Sequence, residues 1–95
     1  MILSIASAAV NEPDAEYIYS AWSDIVVGDR PDGLVDCYLS KTDESLQMVS
    51  IWDSVETHDR ALSDRDAHPA FGVFAACGVE PEHVTYHVIG QLGHR

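Results

Sequence analysis

Lysine occurs once in this chain, at Lys41, and the other cations are the scattered Arg30, Arg60, Arg65 and Arg95. Against them stand 16 Asp and Glu residues, for a formal charge of −11. Phosphate backbones and anionic bilayers are bound by clustered cations, so nucleic acid and membrane surfaces are excluded as expected partners. The acid excess reads as a solvated, solubilising surface, and it equally suits a salt-rich medium in which screening relieves self-repulsion. No apolar run reaches the roughly 18 residues of a membrane span. Met1-Ile2-Leu3-Ser4 offers no basic region of a secretory signal, so a cytoplasmic protein is expected. Cysteine is nearly absent: Cys37 and Cys77 form no CxxC pair and sit among apolar neighbours, as buried free thiols do. No Gly-rich phosphate loop is present.

What is present suffices for one domain, residues 1–95 with a core over about 2–90. The chain is 95 residues long and 46 % apolar. A core of this size stabilises a monomer marginally, and a partner subunit would add to it. Residues 2–10 (ILSIASAAV) read as a buried strand. Asn11 and Pro13 open an amphipathic helix over 13–27, with Ile18, Ala21, Trp22 and Ile25 as its stripe. Pro31-Asp32-Gly33 is turn chemistry. Residues 34–41 and 46–53 alternate on either side of the polar turn at 42–45 and make a β-hairpin. Ser54 caps a second helix to about Arg65, with Val55, Ala61 and Leu62 as its stripe. Pro69 opens a short helix that Gly78 closes. Residues 84–89 are a fourth strand, followed by a loose tail. The order β-α-β-β-α-(α)-β is a split βαβ arrangement, an antiparallel four-stranded sheet with helices on one face.

Period-two reading sorts the strands into two sets. Val35, Cys37, Leu39, Val49, Ile51, Val84, Tyr86 and Val88 are apolar and are expected under the helices. Asp36, Tyr38, Ser40, Met48, Ser50, Trp52, His83, Thr85, His87 and Ile89 form the other face, with Ser4, Ala6 and Ala8. A face mixing Trp, Met and Tyr with Asp, Ser and His suits a half-enclosed cavity, as two sheets packed across a two-fold axis would create.

Three segments carry a family resemblance. Ser50-Ile51-Trp52-Asp53-Ser54-Val55-Glu56 resembles the strand end of the antibiotic biosynthesis monooxygenase (ABM) domain, Ala67-His68-Pro69-Ala70-Phe71 its later Pro-x-Phe segment, and Pro31-Asp32-Gly33 its turn before the second strand. The resemblance spans residues 2–90. It implies a ferredoxin-like α+β domain that dimerises into a dimeric α+β barrel. It also implies a homodimer with small-molecule ligands, and oxidation of an aromatic or enolic metabolite by molecular oxygen with no metal or flavin cofactor. Many relatives carry a helix histidine nine residues beyond the tryptophan, where this chain has Ala61; His58 lies one turn earlier. Residues 63–66 look like an insertion. The haem-degrading branch is matched in outline only, since its second-helix tryptophan and first-strand asparagine have no counterpart.

Among the residues, His87 is the candidate base, because an imidazole exchanges protons with a phenol or enol near neutrality. Tyr38 would orient a ligand oxygen, and Asp36 would act as a second base if enclosure raised its pKa. Trp52 would stack on a planar substrate, with Met48, Ser50 and His83 lining the site. His87, Tyr38 and Trp52 have a plainer reading as interface or wall packing, Asp36 as a carboxylate near a wet barrel mouth, and Met48 and Ser50 line the site under either reading. His83 and His87 stand about 13 Å apart along a strand rising about 3.3 Å per residue, so one metal ion cannot bridge them. Besides an oxygenase, the pattern admits a non-catalytic ligand-binding or stress-associated dimer, or a cofactor-free isomerase or cyclase.

Overall fold

The computed structural model describes residues 1–28, 30–63, 69–75, 77–90 and 92. The elements run β1 (Ile2–Ala9), α1 (Glu12–Gly28), β2 (Leu34–Lys41), β3 (Ser45–Trp52), α2 (Val55–Ser63), α3 (Pro69–Ala75) and β4 (Glu82–His87). The sheet is antiparallel throughout, in the order β2-β3-β1-β4. This is the expected α+β, split βαβ architecture. Residues 64–66 of the expected insertion at 63–66, the 67–68 half of the Pro-x-Phe segment and most of the tail lie outside the described residues.

Local chemistry accounts for the element ends. Asn11 Oδ1 accepts from the Asp14 amide at 2.9 Å, the capping bond that starts α1. Thr42 closes the β2–β3 turn, its hydroxyl accepting from the Ser45 amide at 3.2 Å. Ser54 Oγ accepts from the Thr57 amide at 3.2 Å and starts α2. Gly33 has a φ of +85°, and a Cβ there would overlap the Thr57 side chain. Glycine is thus needed twice over, for its backbone and for the approach of α2.

The two faces of the sheet are not the two expected sets. Ser4 stands opposite Ser50, Ala6 opposite Met48 and Ile2 opposite Trp52. These six residues are all buried. Ala6 and Met48 pack with Ala15 and Ile18 of α1 and with Val73 and Phe74 of α3. Ile2, Leu34 and Trp52 pack with Ala61 of α2. By register, His83 and His87 of β4 and Cys37 and Leu39 of β2 lie on this same helix-covered side. The uncovered side carries Leu3 and Ile5, Val49 and Ile51, Asp36 and Tyr38, and Val84 and Tyr86.

The expectation is therefore correct on β2 for Cys37, Leu39, Asp36, Tyr38 and Ser40, and reversed on β1, β3 and β4. Trp52, Met48, Ser50, His83 and His87 lie on the helix side, while Val49, Ile51, Val84 and Tyr86 lie away from it. Hairpin register is the reason. Lys41 faces Leu46, so odd-numbered β2 positions share a face with even-numbered β3 positions. β3 is apolar on both sides, and alternation alone names no inside. Val35, also expected under the helices, is the extra residue of a β-bulge between Leu34 and Asp36 and is exposed.

Candidate active site

A buried polar layer lies between the sheet and α2. Ser4 and Ser50 are 1 % exposed each and His58 2 %, in a region otherwise built of apolar side chains. Buried hydroxyls are costly unless hydrogen-bonded, and both serines have a bonded partner. Ser50 Oγ accepts from the Trp52 indole Nε1 at 3.2 Å, which sets the plane of the largest buried side chain. Ser4 Oγ and His83 Nε2 are 2.5 Å apart. The His58 and His83 rings stack with centroids 5.9 Å apart and planes 9° from parallel. Trp52 meets His58 edge-on, at 5.6 Å and 80°.

Each side chain is placed by its element. Ser4 is on β1, an interior strand, and Ser50 and Trp52 are two residues apart on β3, so one face of the sheet presents all three. His83 comes from edge strand β4, opposite Ala6 and diagonal to Ser4. His58 comes down from the first turn of α2, whose start is fastened to the sheet. The Asp53 amide donates to Gly33 O at 2.9 Å, and Thr57 Oγ1 donates to Asp53 Oδ1 at 2.8 Å. Asp59 Oδ1 lies 3.3 Å from His58 Nδ1 on the solvent side.

Burial, and secondarily the neighbouring His58, holds the His83 imidazole below its ordinary pKa of 6.5. Near neutrality His83 is therefore uncharged and keeps a lone pair to accept a proton. The arrangement gathers an imidazole able to accept a proton, two hydroxyls and two flat rings in one layer.

The sequence-predicted site residues divide. Trp52, Ser50 and His83 come together. Met48 is buried one step along β3, under α1 and α3. His87 is exposed at the end of β4, opposite Ile2 and apart from the cluster. Tyr38, 57 % exposed, and Asp36 lie on the uncovered side of the sheet, paired with Val49 and Ile51. The expected catalytic trio of His87, Tyr38 and Asp36 is thus not one site. His58 takes the place in the α2 stripe that Val55 was expected to fill; Val55 is exposed. The signal for it is spacing, because His58, Ala61 and Leu62 recur at i, i+3 and i+4.

A groove of about 520 Å³ lies elsewhere, between α1 and the far end of the hairpin, lined by Glu12, Ala15, Glu16, Tyr19, Leu39, Ser40, Lys41 and Leu46. The chain's one lysine pairs with Glu12 across it at 3.2 Å. It lies about 20 Å along β3 from Trp52, at about 3.3 Å per residue. Among the described residues no cluster of three or more His, Cys, Asp or Glu could hold a metal ion, and no helix is long and apolar enough to cross a membrane.

No known family profile matches the chain, and no curated protein does. Solved structures do. A protein from Deinococcus radiodurans designated an antibiotic biosynthesis monooxygenase superposes with a TM-score of 0.75 at 12 % identity, over 100 % of this chain and 99 % of that one. SnoaB, a cofactor-independent oxygenase from Streptomyces nogalater, gives 0.67 at 17 % identity, over 98 % and 96 %. A mutant of MhuD with two manganese protoporphyrin IX molecules bound per active site gives 0.66 at 14 % identity, over 99 % and 100 %. At such identities a likeness speaks for architecture, and function rests on the site. The resemblance read from the Trp52 and Pro69 segments holds at that level: the chain has the α+β fold of antibiotic biosynthesis monooxygenase proteins.

Proposed function

We propose that the protein is a cofactor-independent oxygenase of the ABM type, acting on a small aromatic or enolic metabolite. The observation that carries this reading is the half-buried His83, bonded to Ser4 and stacked on His58 beside Trp52, between sheet and helix. A base of lowered pKa can take a proton from a phenol, an enol or an activated CH₂ at neutral pH. The resulting anion is electron-rich enough to reduce oxygen itself. For an activated CH₂, one oxygen atom enters as C=O, and the other leaves as water with the two hydrogens. The base is His83 and not His87, and Trp52 and His58 are the flat walls.

The active form in this reading is a homodimer. Leu3, Ile5, Val49 and Ile51 are half-buried on the uncovered side, with Val84 48 % and Tyr86 52 % exposed beside them. A contiguous apolar patch on a small soluble domain marks an interaction surface, and a second copy would cover it.

The test is incubation with a hydroxylated anthrone, in air and under anaerobic conditions. Quinone formation with oxygen uptake in air, and none without oxygen, is the expected result. Equal turnover without oxygen leaves an isomerase that uses the same base; tight binding with no turnover in either atmosphere leaves a ligand-binding protein.

A further inference from the structure

Two serines stand side by side on the helix-covered face, and their bonds differ. Ser50 accepts from the Trp52 indole, which can only donate. Ser4, directly opposite it, is bonded instead to an imidazole nitrogen, His83 Nε2. Within a strand the backbone carbonyls point along the sheet toward neighbouring strands, away from the perpendicular side chains. The proton of a buried serine hydroxyl on β1 must therefore find its acceptor in the layer above, where the Nε2 lone pair is in reach.

We propose that Ser4 and His83 form a proton-relay dyad, with the Ser4 hydroxyl donating to Nε2 and passing a substrate proton on to the ring. The proposal rests on the reading of His83 as the site's base, and it makes Ser4 the group that meets the substrate. The step balances within the site. The substrate O–H or C–H bond breaks and leaves its electron pair on the substrate, while its proton forms a new bond to Ser4 Oγ. The Ser4 O–H bond breaks in the same movement, and that proton bonds to Nε2. His83 then carries the positive charge, and the neutral serine faces the substrate anion. The parallel His58 ring holds the imidazole plane through the transfer.

The dyad is tested on the resting protein, without substrate, by long-range ¹H–¹⁵N spectra of histidine-labelled samples. Wild-type His83 should be neutral with its proton on Nδ1 and with Nε2 accepting. Ser4→Ala should displace the Nε2 resonance and shift the ring's titration, and Ser4→Thr, which keeps the hydroxyl, should restore both. A wild-type His83 with its proton on Nε2, or ring signals untouched by Ser4→Ala, overturns the dyad. These spectra decide it whether or not the anthrone assay shows an oxygenase. Where that assay shows turnover, Ser4→Ala should lower kcat about 100-fold with Ser4→Thr retaining most of it, in the usual range for losing a proton-transfer group. An unchanged kcat in Ser4→Ala overturns the relay.

Discussion

The two sides of the sheet depart from the customary division at a few positions each. The side under the helices buries two serines and a histidine beside Trp52, while the open side carries Leu3, Ile5, Val49, Ile51, Val84 and Tyr86. Ordinarily polar groups face water and aliphatic ones face the core. Polar groups are tolerated inside when each is hydrogen-bonded, and the Ser50–Trp52 and Ser4–His83 bonds meet that condition. Aliphatic groups on an open face call for a partner. In the proposed reading the covered side serves the chemistry and the uncovered side serves association.

The largest expected effect comes from the covered side. Trp52 is fully buried, and Trp52→Ala should destabilise the fold by about 3–5 kcal/mol in urea titrations. Ile51, its neighbour on the other side, should cost about 1 kcal/mol or less when changed to Lys in an isolated protomer. Ile51→Lys should instead halve the mass seen by sedimentation equilibrium. A wild-type protein that sediments as one chain, or an equal stability loss at both positions, would break the contrast.

Gly33 ties the two layers together. Gly33→Ala places a side chain at positive φ and against Thr57, and should destabilise by about 1–3 kcal/mol. If α2 thereby lifts from the sheet, the Trp52 fluorescence will shift to the red. Ser54→Ala removes only the helix cap and should cost about 1 kcal/mol. The smallest effect is the pH dependence of stability. His83 binds its proton less readily folded than unfolded, so its contribution is full above its ordinary pKa of 6.5 and declines as pH falls below it. A thermal midpoint that rises on acidification from pH 7 to 5.5 would contradict the half-buried placement of His83.

Much of the fold was legible in the residues, because its signals are local. Asn11 and Ser54 start helices where capping residues should, and the 42–45 turn joins two alternating runs. The site was legible only in part. Trp52, Ser50 and His83 were recognisable as one set, since they share a strand face. Tyr38 and Asp36 were grouped with them because β2 was read in the wrong phase relative to β3. His87 was preferred to His83 although only the latter lies within reach of Ser4. His58 was visible as a departure from the ABM pattern, but its ring contacts depend on how α2 is docked.

Sequence alone therefore determined the order of elements, their ends and turns, the lone lysine in an acidic chain, and the existence of two dissimilar strand faces. Those features depend on neighbours within a few residues. Only the tertiary structure decided which face the helices cover, because a period of two labels both sides of a strand and ranks neither. The hairpin register and the Gly33–Thr57 contact supply that ranking, and with it the placing of Trp52, His58 and His83 in one layer between sheet and helix.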